Sequence, residues 1–338
     1  KLTMKIKHFE TPKGVQLLGD PHLGKKFNSH VPRERLGERE EMVRKQFLEE
    51  LEPIDDTITD HICMGDLFDK FRVPEEVILF AAQAYRDAAA RNPNIEYYII
   101  RGNHDASRDS SFKSSFDVFE ALLEDVDGVN VISEEPLHVI SLGQEHTLYP
   151  WHPFIHAKEM VELHPPTKGG YVYGHWDILA FEEGSSSEEN FVPTEHFKEC
   201  AGIYTGHYHL PKAFPLDGMT INITGSMQPY THAEDEVGEL YRTESLPEVV
   251  ATLSANPEHY KYVNLRVLLG PDEVPLADID CLSYRVKRMQ KDEQENIDVD
   301  IESFNLESIF KNTMSDFKVS DETTSKLWTR FLSVNEAE

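Results

Sequence analysis

The chain has 338 residues, with 33 Lys and Arg against 61 Asp and Glu and a net charge of −28. That length suits one large domain with an appendage, or two domains, and no apolar run reaches membrane-spanning length. The charge argues against a broad basic platform for nucleic acid, because phosphate binding draws on an excess of Lys and Arg.

Three cysteines (Cys63, Cys200 and Cys281) form no C-x-x-C pair and no disulfide framework. A reducing, cytoplasmic compartment is the expectation, and the first residues lack the apolar core of a signal peptide.

In chain order, strand-like and helix-like segments alternate through the first half. Val15–Leu18 is a short β-prone run that ends in Gly19-Asp20-Pro21-His22. Arg33–Glu52 is charged and carries Leu36, Met42, Phe47, Leu48 and Leu51 at helical spacing. His61–Met64 ends in Gly65-Asp66, with Asp69 three residues on. Pro74 suits the first turn of a helix running through Val77, Phe80, Ala81 and Tyr85 to Arg91. Tyr97–Ile100 ends in Arg101-Gly102-Asn103-His104-Asp105, and Phe112–Leu123 reads as another helix.

From Val129 onward short strands dominate: Val129–Ile132, Leu137–Leu142 and Thr147–Tyr149. Tyr171–Tyr173 leads into Gly174-His175, and Ile203–Thr205 into Gly206-His207-Tyr208-His209. Between them Glu182–Asn190 reads as a surface loop. The acidic span from Ser226 to Tyr260 shows little strand character. Tyr260–Leu269 and Leu282–Val286 then read as strands of a small second unit. Lys291–Asp300 is a charged connector, followed by two amphipathic stretches around Leu306, Phe310, Met314 and Phe317 and around Leu327, Trp328, Phe331 and Leu332. The predicted class is α/β, with two sheets packed face to face between helices.

Five hydrophobic runs thus end in glycine beside a metal-binding side chain. A glycine lets the backbone turn sharply, and ligands in open α/β sheets gather at the carboxyl ends of strands. Each Gly-Asp or Gly-His pair alone usually marks only a turn; five in order point to one site. The ligand candidates are Asp20, His22, Asp66, Asn103, His175, His207 and His209. Oxygen and imidazole donors without thiolate favour Mn²⁺, Fe²⁺ or Zn²⁺ at a non-structural site. Seven ligands exceed the needs of one ion and suffice for two that share a carboxylate. Such ion pairs sit ~3.5–4 Å apart and stabilise the attacking and leaving oxygens of an in-line displacement at phosphorus. His104 is placed to contact the phosphate and protonate the leaving oxygen, with Asp105 expected to orient it. Asp69 reads as a cap on the following segment, and His152 beside Trp151 as a core residue.

These motifs resemble the calcineurin-like metallophosphoesterase superfamily in order and spacing: Asp20-x-His22, Gly65-Asp66-x-x-Asp69, Gly102-Asn103-His104-Asp105, Gly174-His175 and Gly206-His207-x-His209. Within it, Gly19-Asp20-Pro21-His22-Leu23-Gly24, Gly65-Asp66-Leu67-Phe68-Asp69, Tyr149-Pro150-Trp151, Gly174-His175-Trp176 and Gly225-Ser226 are most similar to the nuclease subunit of the bacterial SbcCD complex and its double-strand-break-repair relatives, the phage-encoded recombination nuclease above all.

The resemblance implies a four-layer α/β/β/α sandwich over residues 1–245 and a small capping domain over 246–290. A linker at 291–300 and a helical segment at 301–338 would follow. It implies one metal on Asp20, His22, Asp66 and His209 and a second on Asp66, Asn103, His175 and His207, both Mn²⁺, with His104 catalytic. It further implies 3′→5′ exonuclease activity on double-stranded DNA, endonuclease activity on single strands and a role in DNA recombination and repair. The partners implied are an SMC-like ATPase held by the C-terminal helices and a second copy of the nuclease domain, with the helices near Pro74–Arg91 and Phe112–Leu123 as candidate dimer surfaces. For a phage-encoded chain the compartment would be the host cytoplasm.

Two other readings compete. One is a protein phosphatase or cyclic-nucleotide phosphodiesterase of the same fold, although such phosphatases usually carry Gly-Asn-His-Glu where this chain has Asp105. The other is a non-catalytic scaffold, which would normally have lost ligands that are all present here.

Overall fold

A computed structural model of the chain describes residues 10–109, 111–178, 188–216 and 218–289. Its architecture follows from strands that are apolar on both faces and so need cover on both sides. The first sheet is built from β1 (Val15–Leu18), β2 (Asp60–Cys63), β3 (Glu96–Ile100) and β4 (Val129–Ile132), all parallel and in sequential order. The connections carry α1 (Glu38–Glu50), α2 (Glu75–Arg91) and α3 (Ser115–Leu123).

Side-chain alternation along β3 shows how the layers are made. Tyr97 and Ile99 face the helices and join a core with Phe47, Tyr85 and Phe119. Tyr98 and Ile100 point the other way and meet Leu148, Tyr173 and Tyr204 of the second sheet. That sheet contains β5 (Leu137–Ser141), β6 (Gln144–Tyr149), β7 (Tyr171–Gly174), β8 (Gly202–Thr205), β9 (Lys212–Leu216) and β10 (Met219–Ile223), in the order β5-β6-β7-β8-β10-β9. Its four inner strands are parallel, and each edge is closed by an antiparallel neighbour. Its outer face packs Val172, Ile203 and Ile221 against Met160 and Val161 of α4 (Ala157–Leu163) and against Trp176 and Phe197. Helices, sheet, sheet and a thinner outer cover give the four-layer sandwich expected of the sequence.

Two of the three predicted helices are shorter than the sequence suggests. Arg33–Glu52 becomes a single 3₁₀ turn at Arg33–Arg35 followed by α1, which Gly37 opens in a left-handed conformation. Pro74 precedes α2 as its N-cap residue. The α3 helix starts only at Ser115, where Ser114 and Asp117 form a reciprocal capping box.

One expectation is corrected. The acidic span after Ser226 does contain a strand, β11 (Tyr241–Ser245), and a helix, α5 (Leu246–Ala255), begun by a second capping box of Ser245 and Glu248. The carboxylates that disguised the span are partly structural: Asp235 accepts hydrogen bonds from the amides of Gly238, Leu240 and Tyr241. β11 pairs in parallel with β12 (Asn264–Leu269), which pairs with β13 (Ser283–Arg288), over a small core of Val249, Tyr260, Leu265, Val267 and Leu269. The connector at 291–300 and the helical segment at 301–338 lie outside the described residues. Among the described residues no helix is long and apolar enough to cross a membrane.

Phe119 of α3 is fully buried and meets Phe68 and Tyr85 edge-on, each with ring centroids 5.8 Å apart. Phe68 belongs to the loop after β2, so this contact ties the helical layer to the carboxyl ends of the strands. Phe119→Ala should lower the unfolding free energy by about 3–5 kcal/mol, the usual cost of emptying an aromatic core position. Urea denaturation checks this, and a loss below about 1 kcal/mol would contradict the packing described.

Candidate metal centre

The carboxyl ends of β1, β2 and β3 from one sheet and of β7 and β8 from the other meet at one end of the sandwich. Glycine permits this crowding at two decisive points. Gly65 has φ +112°, and a Cβ there would collide with the His175 ring. A Cβ on Gly102 would collide with the Asp66 backbone and carboxylate. Three of the predicted ligands themselves adopt left-handed backbone: His22 (φ 47°), Asp66 (φ 48°) and His207 (φ 80°). Such conformations are costly for non-glycine residues and collect at functional sites.

The structure brings all seven predicted ligands together. Asp20, His22 and His209 offer donor atoms within 4.8 Å of one another, as do Asp66, His175 and His207. Asn103 joins the second group: its Oδ1 lies 2.9 Å from His175 Nε2 and 3.0 Å from His207 Nδ1. Asp66 links the two halves, with Oδ2 3.3 Å from His175 Nε2 and 3.8 Å from His22 Nε2. His22, Asp66 and His104 form a third such group on the open side of the site.

The donor chemistry fits divalent cations. Asp20 is fully buried; its Oδ2 accepts the His207 amide at 3.0 Å, while its Oδ1 has no hydrogen-bond donor. A buried carboxylate oxygen in that condition calls for positive charge. His22 Nε2 and His209 Nε2 face each other at 3.0 Å, two ring nitrogens close enough to share one cation.

Two of the imidazoles, His175 and His209, are held from behind at their outer nitrogens, the usual device for orienting metal-binding histidines, and two more have a carboxylate nearby. His175 Nδ1 donates to the Met64 carbonyl at 2.9 Å. His209 Nδ1 lies 3.2 Å from Glu234, His207 Nε2 lies 3.6 Å from Asp177, and His22 Nδ1 faces Asp69 at 3.8 Å.

Proton affinities follow the same geometry. Burial pushes the Asp20 carboxyl up to about 7, with His175 opposing and Asp66 adding to the rise. Burial would raise Asp66 too, but the charge and hydrogen bond of His175 outweigh it and hold the carboxyl well below its ordinary range. Burial likewise opposes charge on His175, yet Asp66 and Asp20 lift that imidazole to about 10. Burial drives His22 down to about 3 and His207 to about 4, which keeps their ring nitrogens neutral and able to donate lone pairs.

His104 lies at the open edge of the two main ligand groups, its side chain 44% exposed, with Nε2 4.0 Å from Asp66 Oδ2. The expected orienting contact from Asp105 is not what holds it. His104 Nδ1 donates to the backbone carbonyl of Asp69 at 2.7 Å, and its own amide donates to Asp66 Oδ1 at 2.8 Å. Asp105 is fully buried and accepts the amides of Leu67 (3.2 Å), Phe68 (2.8 Å) and Gly102 (2.8 Å). It therefore clamps the loop after β2 to the loop after β3. Asp69 is more than a cap as well: its carboxylate takes Lys25 Nζ at 3.0 Å. His152 is half-buried and pairs with Glu134 at 3.3 Å rather than entering the core.

Sequence reasoning missed Glu234 and Asp177. Glu234 lies in an acidic stretch without a motif, and nothing local marks it. Asp177 follows Gly174-His175-Trp176, so its nearness to a ligand-bearing strand end was the available signal.

Two outcomes follow. Asp66→Asn should abolish tight binding of both ions, whereas His104→Ala should retain them; metal analysis of the purified proteins decides, and equal loss in both would remove His104 from its role. Asp105→Ala strands three buried amides at about 1–3 kcal/mol each. It should lower stability by several kcal/mol in chemical denaturation and weaken metal binding, although it donates nothing to a metal.

The profile of calcineurin-like phosphoesterases matches residues 16–211, a span that holds every ligand from Asp20 to His209. No curated protein matches the sequence. Among solved structures, the phosphopantetheinyl hydrolase PptH from Mycobacterium tuberculosis is similar at 13% identity and a TM-score of 0.39, over 64% of this chain and 93% of its own. With its family profile covering more than half the chain and both ligand groups assembled, the protein belongs to the calcineurin-like phosphoesterase family and has the features of a metal-dependent phosphoester hydrolase.

Proposed function

We propose that this phosphoesterase is a DNA nuclease, the nuclease subunit of an SMC-like ATPase–nuclease complex that acts in recombination and double-strand-break repair. The observation that carries the reading is the pair of ligand groups meeting at Asp66, with the His104 imidazole exposed beside them. Asp20, His22, Asp66 and His209 would hold one ion and Asp66, Asn103, His175 and His207 the other. When bound, two divalent cations, by this reading Mn²⁺, supply Lewis-acid stabilisation and activate water at neutral pH.

The chain's own residues then do the rest. With Nδ1 fixed on the Asp69 carbonyl, His104 presents Nε2 to the leaving side of a phosphodiester and hands it a proton. Lys25, held by Asp69 next to His22, adds positive charge at the rim. The sequence likeness to the SbcCD nuclease supports a DNA substrate, and Asp105 in place of the phosphatase glutamate supports it against a protein phosphatase. The acidic balance of the chain fits a subunit whose DNA groove is completed by its ATPase partner and a second copy. The segment 301–338 is proposed as the ATPase contact.

Digestion of end-labelled double-stranded and single-stranded DNA with Mn²⁺ tests the reading. The expected result is 3′→5′ shortening of duplex ends and internal cuts in single strands, both reduced about 10²–10⁴-fold in His104→Ala. Turnover of a phosphopeptide or cyclic nucleotide with both DNAs intact would replace this reading with another phosphoesterase.

A further inference from the structure

Next to the His104 side of the centre, two loops present aromatic rings and cations to solvent. Phe71 is 43% and Phe112 50% exposed, unusual for rings of that size. Arg72 lies over the Phe112 ring at 4.9 Å from its centroid. Lys70 and Lys113 flank the rings and are exposed, as is Arg72. Among the described residues none of these three cations is held in an ion pair, although the chain has nearly two carboxylates for every Lys or Arg.

The arrangement is fixed rather than loose. Ser115 donates its amide to the Phe71 carbonyl at 2.7 Å, and the Val73 amide donates to Ser115 Oγ at 2.9 Å. Phe112 donates its amide to the Asp109 carbonyl at 3.1 Å. The patch also adjoins the reacting centre. Phe71 follows Asp69 by two residues, at most about 7 Å of extended chain. The Asp69 carbonyl holds His104, and its carboxylate faces His22.

We propose that Phe71, Arg72 and Phe112 form a base-stacking subsite for the nucleotide that flanks the scissile phosphate on the His104 side. Lys70 and Lys113 neutralise the adjoining phosphates. The proposal rests on the nuclease reading and deepens it to single-stranded or end-frayed nucleic acid. A base has two π faces that an aromatic ring and a guanidinium can both cover, and this stacking tolerates any sequence. A phosphomonoester or phosphoserine peptide offers no such surface. The subsite would therefore favour nucleotide phosphodiesters over other phosphoesters and would engage only bases released from a duplex.

The test crosses a deletion in the protein with one in the substrate. Full-length wild type, Phe71→Ala/Phe112→Ala and Phe112→Trp are assayed with Mn²⁺ on a labelled single-stranded oligonucleotide and on the same strand with one abasic position. Binding of both strands is measured in parallel by fluorescence anisotropy in chelator, which needs no metal. Wild type should lose about tenfold or more in kcat/KM for the cut beside the abasic position and bind that strand more weakly. The double alanine variant should show the loss already on the intact strand and little more on the abasic one, and Phe112→Trp should restore discrimination. Lys70→Gln/Lys113→Gln should weaken binding and lower its salt dependence by about 0.7 per lost phosphate contact.

Equal discrimination by wild type and the double alanine variant would overturn the subsite. So would a variant that changes the sedimenting mass and loses both substrates alike, which would make the patch a contact between copies. Wild type that hydrolyses a small phosphomonoester but neither strand would overturn the nuclease reading itself.

Discussion

Two carboxylates buried side by side, Asp20 and Asp66, set the terms for everything around them. Neither can be paid for by water, so the surrounding backbone must supply amides and the neighbouring strands must supply imidazoles. The His207 and His104 amides donate to Asp20 and Asp66, and His175 sits between the two carboxylates. The glycines at 65 and 102 exist to let these groups approach. Cation affinity is thus a consequence of charge balance around two buried carboxylates, with ligand identity following from which strand ends reach them.

The same balance separates the roles of adjacent residues. Asn103, His104 and Asp105 are consecutive, yet one turns to the ligand groups, one to solvent and one into the protein. Asp105 is chemically suited to partner His104, but its oxygens are taken by three amides from two loops. The carbonyl of Asp69 orients the imidazole instead. A carbonyl can only accept, so Nδ1 carries the hydrogen of that contact and Nε2 is left facing the open side of the site.

Much of this was legible in the sequence because it repeats locally. A β-prone run, a glycine and a ligand form a signal of a few residues, and five of them located every member of the two ligand groups. Alternating apolar runs likewise announced the two-sheet core. What stayed hidden depends on contacts distant in sequence. Glu234 backs His209 from 25 positions away, and the Asp105 clamp joins loops 37 and 38 positions apart. The strand at Tyr241–Ser245 was obscured by its acidic surroundings: Glu244 and the carboxylates before it look like loop composition until Asp235 is seen capping the chain. The edge strand β9 and its inner neighbour β10 were missed: Pro215 interrupts β9, and β10 is a five-residue run with no glycine-ligand motif at its end.

Asp20, Asp66 and Asn103 come from one sheet, and His175, His207 and His209 from the other, across an interface of Tyr98, Ile100, Tyr173 and Tyr204. That interface is held mainly by interdigitated side chains, with few hydrogen bonds from one layer to the other among the described residues, including His175 to the Met64 carbonyl and Ser141 to Asp60. Both ligand groups draw donors from each sheet, so any slip between layers alters the spacing of every group at once. Bound cations would act as rivets through the sandwich, coupling the catalytic geometry to the shear stiffness of the whole domain. Loss of metal and loss of inter-sheet alignment should then be one cooperative event, and a thermal ramp should release the ions at the temperature where the layers part.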